Sequence, residues 1–470
     1  MSLMMEGCAG RRLVLVVRSY ALMIIALHLI APSLPEDRVW GIWPYTYLPP
    51  IWRWMLAGGT VLLIFFGPVR FRAGKLPCRL LPKGSSKPFL FASLAFLSGP
   101  LFYTLRIVHT RWGDAYILVH AIPHPDVRLT YNWQAPLDVF LHAKVWALGH
   151  RWFGWVDAMP AYWILSSIAG VAFIYTLAWT ADVLGRDRTE RILTFALVAS
   201  LGSMQLFFGY IENYTFITLG TLLYLYLAVR CLRSEMDLLW PAVVLALSHA
   251  FHPSTLVLQP SLWYLAFRTW RAAQEPGQKK MLVRNMVKAI VPTLAAILGV
   301  VTLMESGGHG ISAFLSSDFP GGGDHRWLVP LFHTTTRWEH YTLFSRAHLL
   351  DILNEQLLTA PFTLPIIGMV VGLAWKRIDW RDAELWLLVT AGGGYLLLTL
   401  LWNPDYGGRR DWDLFAPASI PLTLLAVWLL VRTLPDREQL RRAGLAAVVT
   451  SFIHTAAWIY QNTQPWEWPS

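Results

Sequence analysis

Four short polar segments stand out in a largely apolar chain because each carries acids, arginines or histidines. They are RWGDAY (111–116), GYIENY (209–214), HAFHPS (249–254) and GGRRDWD (407–413). Each lies directly beside an apolar run. Charge is costly next to a bilayer core and usually marks a functional site there. These segments therefore supply the candidate chemistry.

The first candidate is the carboxylate Asp114, which follows a glycine in RWGDAY. A carboxylate held close to a membrane can accept a proton from an attacking hydroxyl or amine. The alternative is a structural role, because aspartate is a common N-terminal helix cap. Arg111 of the same segment is a candidate substrate-binding residue.

The second candidate is the short turn GYIENY, in which Tyr210, Glu212 and Asn213 would bind substrate hydroxyls. Asparagine is also a turn former, and tyrosine favours the membrane interface, so a purely structural turn is the alternative. Asp114 and Glu212 could together hold a divalent cation such as Mg²⁺ or Mn²⁺, although nothing in the pattern requires a metal or another cofactor.

The third candidate is the pair Arg409 and Arg410, because arginine binds phosphate oxygens through paired hydrogen bonds. Asp411 and Asp413 would orient these arginines or contact substrate. The alternative is an internally salt-bridged loop. His252, which precedes a proline at a predicted helix break, could donate a hydrogen bond to the same phosphate or could simply be packed and hydrogen-bonded.

Composition predicts the fold class. The chain has 470 residues, of which 55% are hydrophobic and only 14% are charged, and apolar runs near the bilayer-spanning length recur throughout. We expect an all-α polytopic membrane protein with about 13 transmembrane helices, forming one domain over 1–470. The net charge of +10 is better explained by loop residues that set topology and meet anionic lipid than by nucleic-acid binding.

Charge asymmetry predicts the orientation. With the N-terminus inside, 26 of the 39 Lys and Arg residues fall on the cytoplasmic side and 11 on the other. The polar segments then share the outer face of a plasma (inner) membrane. The outer loops 108–157 and 305–357 would form the active-site face, with amphipathic juxtamembrane helices in 131–149 and 344–358.

These motifs resemble those of the GT-C superfamily of membrane glycosyltransferases, in the style of protein O-mannosyltransferases and lipid A aminoarabinose transferases. The resemblance covers most of the chain. It rests on RWGDAY for the acid of the first large outer loop and on QAPLDVFLHAKVWALG (134–149) for the juxtamembrane helix. YIENYTF (210–216) and GGRRDWDLFAPASIPL (407–422) match two later outer motifs.

The resemblance implies inverting transfer of a sugar from a polyprenyl-phosphate donor to a glycan, lipid or protein acceptor. Asp114 would be the general base, and Arg409 and Arg410 would hold the donor phosphate. Members of the superfamily work with or without a divalent ion.

Two other functions remain open at this point. A secondary transporter would place polar groups and helix breaks near mid-membrane and often shows inverted repeats. Another outer-face enzyme of lipid-linked glycans, such as a polymerase, ligase or acyltransferase, would use the same geometry with a different donor.

Overall fold

The computed structural model describes residues 2–70, 87–272, 278–319 and 324–466, and most of these residues are helical. Within these ranges the only β-type pairing is one isolated bridge between Leu328 and Trp402. The all-α prediction is therefore confirmed. The basic segment 71–86 and Pro320 with the glycines 321–323, in the loop 305–357, lie outside the described residues.

The described chain forms 18 α-helices, several linked by single 3₁₀ turns. In chain order they are α1 (Ser2–Ile30), α2 (Pro50–Arg70), α3 (Lys87–Thr104), α4 (Ala115–Ala121), α5 (Pro136–Phe153), α6 (Met159–Leu184), α7 (Arg188–Ala199), α8 (Thr215–Leu232), α9 (Leu239–Phe251), α10 (Gln259–Arg271), α11 (Gln278–Ser306), α12 (Ile311–Phe314), α13 (Arg346–Thr359), α14 (Thr363–Ala374), α15 (Ala383–Leu401), α16 (Trp412–Phe415), α17 (Ser419–Thr433) and α18 (Arg437–Asn462).

Eight helical segments in the described ranges are long and apolar enough to cross a membrane. They are Gly10–Ser33, Pro50–Gly67, Met159–Leu184, Thr215–Leu232, Lys279–Ser306, Ala383–Leu401, Trp412–Thr433 and Arg437–Asn462. A ninth is formed if α13 and the segment Thr363–Arg377, which are bent by 100°, make one broken span. A multi-pass membrane protein is thus confirmed.

The predicted count of 13 spans is not confirmed. Other helices, among them α3, α7, α9 and α10, are shorter or less apolar than a full span requires. The apolar stretch 191–208 divides into α7 and a 3₁₀ helix over Gly202–Phe207, and Pro253 begins a 3₁₀ turn between α9 and α10. Proline lacks the amide proton that continues a helix, so an apolar run alone overestimates the span count here.

The helices differ sharply in burial. All of the most apolar window of Trp412–Thr433 is buried, whereas only 6% of the corresponding window of Lys279–Ser306 is. The first is therefore the central helix of the bundle, and the second is peripheral with most of its surface available to lipid. Lipid is as apolar as leucine, so close packing rather than water exclusion must hold the central helix in place.

The polar segments meet at one end of this bundle. The amide of Gly113 donates to the carbonyl of Arg410 at 3.0 Å, which joins the segment before α4 to the turn before α16. Trp112 Nε1 donates to Asn462 Oδ1 at the end of α18 at 2.6 Å. Segments that are about 300 residues apart in sequence thus form one surface.

Candidate active site

Asp114 occupies the N-cap position of α4, but its side chain does not cap the helix. Its Oδ1 instead accepts a hydrogen bond from the hydroxyl of Tyr406 at 3.1 Å. Burial raises the pKa of Asp114, and the Tyr406 hydroxyl and the Arg410 guanidinium partly offset that rise by favouring the charged form. A partly buried carboxylate with one orienting donor is suited to accept a proton.

Glu212 fixes the backbone that carries Asp114. Its Oε1 accepts the amide hydrogen of Asp114, and the side chain is buried at 3% exposure. The preceding Gly113 has φ = +45°, and a Cβ atom there would collide with the Glu212 carboxylate. Only glycine fits this turn without strain. The sequence predicts that Glu212 contacts substrate hydroxyls. The structure instead buries Glu212 behind Asp114, where its carboxylate holds the backbone of Asp114.

Tyr210 and Asn213 are also buried, at 1% and 3% exposure. Within the described residues Asn213 Oδ1 has no hydrogen-bond partner, whereas the Tyr210 hydroxyl lies beside the Asp413 carboxylate. Tyr210 packs edge-on against Trp412, with ring centroids 5.2 Å apart. These two side chains lie beneath the site, and they would need a local opening to reach substrate hydroxyls.

Arg410 faces the acids. Its guanidinium carbon lies 4.6 Å from the centre of the Tyr406 ring, and Nη2 is 3.5 Å from the carbonyl oxygen of Gly113. The same cation stabilises the charged form of Asp114. One carboxylate and one guanidinium group therefore lie close together at the end of the bundle.

Arg409 points away from Arg410, although the two residues are adjacent. Its Nη2 donates to Glu36 Oε1 in the segment between α1 and α2. Arg111 donates to the same oxygen at 3.5 Å and to the Tyr47 hydroxyl at 3.2 Å. The structure thus separates the predicted arginine pair and joins Arg409 to Arg111, which the sequence had assigned to substrate.

Asp411 and Asp413 complete an acidic cluster with Asp114 and Glu212. Asp411 Oδ2 accepts the amide hydrogen of Tyr406 at 2.8 Å, and Asp413 Oδ1 accepts that of Leu414 at 3.0 Å. Burial and then the neighbouring Asp413 raise the pKa of Asp411 well above its usual range. Such mutual repulsion favours protonation or a positively charged ligand.

His252 is placed as a structural cap. It precedes the 3₁₀ helix that begins at Pro253, and its Nδ1 accepts the amide hydrogen of Ser254 at 3.1 Å. The ring packs on Tyr214 at 5.0 Å and is buried at 4% exposure. The structure does not bring His252 to either arginine.

Two site residues were missed by the sequence interpretation. Tyr406, which contacts Asp114, lies within the polar segment NPDYGGRR (403–410) and could have been noticed there. Glu36 lies just after the first apolar run, and its role depends on a contact with Arg409 that only the fold creates.

The acids do not form an evident metal centre. Asp114 and Glu212 are adjacent, as a shared cation would require, but the Glu212 oxygen already accepts a backbone hydrogen bond. No group of three or more His, Cys, Asp or Glu in the described part of the chain is arranged to hold a metal ion.

The Glu212→Gln variant should be more stable than the wild type at high pH. Burial, followed by Asp413 and Asp114, raises the pKa of Glu212 well above its usual range. Wild-type stability is then fully present at low pH and is lost as the pH rises through that raised value. Glutamine keeps the acceptor for Asp114 and removes the charge, so we expect a gain of roughly 1–3 kcal/mol.

Thermal unfolding in nanodiscs at several pH values measures this effect. The difference between Glu212→Gln and wild type should grow with pH. A variant that is less stable at every pH would show that the carboxylate makes a charge-specific contact.

No protein-family model and no curated protein sequence matches this chain. Among solved structures, the chain is similar to the Archaeoglobus fulgidus oligosaccharyltransferase, both in the apo form and tethered with an acceptor peptide containing the NVT sequon. The identity is 13% and the TM-score 0.46 in both cases. The match covers 79–80% of this chain and 56% of that one, so this chain spans little more than half the length of the oligosaccharyltransferase.

The chain is also similar to ArnT from Cupriavidus metallidurans bound to undecaprenyl phosphate. Here the identity is 9% and the TM-score 0.46, with 79% of this chain and 77% of that chain covered. At these values the likeness concerns the overall course of the backbone and does not extend to individual residues of the site.

Proposed function

We propose that this protein is a membrane glycosyltransferase that moves a sugar from a polyprenyl-phosphate donor to an acceptor at the outer membrane face. The observation that carries the proposal is the pairing of Asp114, held by Tyr406 and Glu212, with the Arg410 guanidinium at one end of the bundle. A base and a cation in this arrangement suit the displacement of a phosphate leaving group by a hydroxyl or amine.

The proposed step is a single inverting displacement. Asp114 removes the proton of the acceptor while the acceptor oxygen or nitrogen bonds to the anomeric carbon. The bond from that carbon to the phosphate oxygen breaks, and its electron pair stays on the lipid phosphate. Arg410 stabilises the negative charge that grows there.

The position of the polar cluster favours a transferase over a transporter. The acids and Arg410 gather where α4 and α16 begin, whereas transporters place such groups near mid-membrane. A lipid phosphate moving laterally in the bilayer would reach this depth. A polymerase, ligase or acyltransferase would differ in donor rather than in the position of the site.

The direct test of the donor class is mass spectrometry of lipids that co-purify with the protein in nanodiscs. Wild type should carry a polyprenyl phosphate, bare or sugar-bearing. The Arg409→Ala/Arg410→Ala double variant should lose it. If both samples contain only bulk phospholipid, the arginines do not bind a lipid phosphate and the proposed donor is wrong.

The Tyr406→Phe variant should shift the pH dependence of transfer. The Tyr406 hydroxyl stabilises the charged form of Asp114, so its removal raises the pKa of Asp114 further. A base must be deprotonated to act, and the loss of activity at acid pH should therefore begin at higher pH. On the alkaline plateau the rate should fall by no more than about tenfold.

The measurement is the initial transfer rate against pH in proteoliposomes. Tyr226→Phe is the control, because its hydroxyl contacts Arg230 at the other end of α8. An unshifted acid limb in Tyr406→Phe would mean that Asp114 does not limit the rate as a base.

A further inference from the structure

Two arginines outside the acidic cluster converge on one carboxylate oxygen. Nη2 of Arg409 and Nη2 of Arg111 both donate to Glu36 Oε1, the second at 3.5 Å. The three side chains are 29%, 14% and 32% exposed, respectively. They are therefore sheltered but still reachable from outside the fold.

The hydrogen bonds in this group are unequally matched. One oxygen of Glu36 accepts from two guanidinium groups, each of which carries five N–H donors in a planar fork. The neighbouring Asp37 acts on Arg409 only through its charge. Burial lowers the pKa of Arg409, Glu36 opposes that change, and the like charge of Arg111 adds to it. The two guanidinium groups thus have more N–H donors than one oxygen of Glu36 can satisfy.

A phosphate group matches this pair better than a carboxylate does. It offers three or four oxygens and up to two negative charges, and it can engage two guanidinium forks at once. The shared Oε1 of Glu36 occupies the point on which both arginines converge. Glu36 therefore stands where an anionic oxygen of a ligand would sit.

The group borders a narrow aromatic cleft with a volume of about 10 Å³, which is room for about one water molecule. Its walls include Glu36, Arg409, Trp40, Trp43, Trp112 and Trp458. The cleft must widen before a prenyl chain or a sugar ring can pack against these indole rings beside the arginine. Arg410 lies on the opposite side of this turn, where its guanidinium group stacks on the Tyr406 ring.

We propose that Arg111 and Arg409 form a phosphate-binding site that Glu36 occupies in the absence of substrate and that an incoming phosphate displaces. This inference rests on the proposed function, which supplies a phosphate-bearing substrate. The phosphate belongs either to the lipid donor or to a phosphorylated acceptor, and the chemistry of the site is the same for both.

The test is binding of farnesyl phosphate to the full-length protein in nanodiscs, with inorganic phosphate as a second probe. Glu36→Gln removes the competing charge and should bind farnesyl phosphate about tenfold more tightly than wild type. Arg111→Gln and Arg409→Gln should bind it at least about tenfold more weakly, and Arg409→Lys, which keeps the charge without the fork, should lie between.

Glu235→Gln is the matched control. Glu235 pairs with Arg230 at the opposite end of α8, so this variant breaks a comparable surface ion pair away from the site. It should bind like wild type. Thermal unfolding of every variant confirms that binding is compared between folded proteins.

The outcomes separate the claims. If Glu36→Gln binds farnesyl phosphate more tightly than wild type does, but not inorganic phosphate, the result supports a lipid donor. If it binds both probes more tightly to the same extent, the result supports recognition of the phosphate group itself. If Glu36→Gln binds like wild type or more weakly, the displacement mechanism is wrong. Loss only in Arg410→Gln would keep the proposed donor and overturn this site, whereas absence of binding in all forms would overturn both.

Discussion

Replacing Asp114 by asparagine should lower the turnover number for sugar transfer by roughly 10²- to 10⁴-fold, which is the usual contribution of a general base. Asparagine keeps the size of the side chain and an oxygen that can accept from the Tyr406 hydroxyl, but it cannot take a proton. The substrate concentration at half-maximal rate should change little, because the loss falls on the chemical step.

The matched control is Asp126→Asn, which makes the same change at an exposed position of the same loop. It should retain full activity. If Asp114→Asn keeps its turnover within about tenfold of wild type, Asp114 is not the base and the acceptor proton leaves by another route.

Replacing Arg410 by glutamine should lower turnover by roughly 10²- to 10³-fold, the range found when one charge-stabilising donor is removed from an active site. A second effect follows from its position. Arg410 favours the charged form of Asp114, so its removal raises the pKa of Asp114 and moves the acid limb of the pH profile upward. Arg410→Lys should recover part of the rate, because it keeps the charge but not the planar fork.

Steady-state rates against pH separate the two effects. Arg230→Gln is the control, since Arg230 also lies over an aromatic ring, that of Tyr226, at 5.7 Å, and is at the far end of α8 from the site. An Arg410→Gln enzyme with wild-type turnover and an unchanged pH profile would remove Arg410 from the mechanism.

The gathering of the polar segments could be predicted from sequence because each lies beside an apolar run. Topology then placed Asp114, Glu212 and the arginine segment on one face, and the structure brings them together at one end of the bundle. Composition and the length of the apolar runs also identified the all-helical class. A helix bundle has only two ends. Polar segments that the topology assigns to the same side of the membrane must therefore lie at the same end of the bundle.

The direction of individual side chains could not be predicted. Arg409 and Arg410 are neighbours in a turn, and only the fold sends one to Glu36 and the other to Tyr406. Likewise, the short turn predicts an exposed Glu212. In the structure, the positive φ of Gly113 lets the Asp114 amide donate to the Glu212 carboxylate, which is buried. These outcomes depend on contacts between segments that are distant in sequence.

The most direct test of the central claim is the release of bare polyprenyl phosphate by proteoliposomes that contain the protein and a membrane lipid extract, followed by mass spectrometry. This product forms whatever the sugar or acceptor. Wild type should convert sugar-bearing polyprenyl phosphate to the bare lipid with time, and Asp114→Asn should not. Equal amounts of bare lipid with both proteins would contradict an Asp114-dependent transferase.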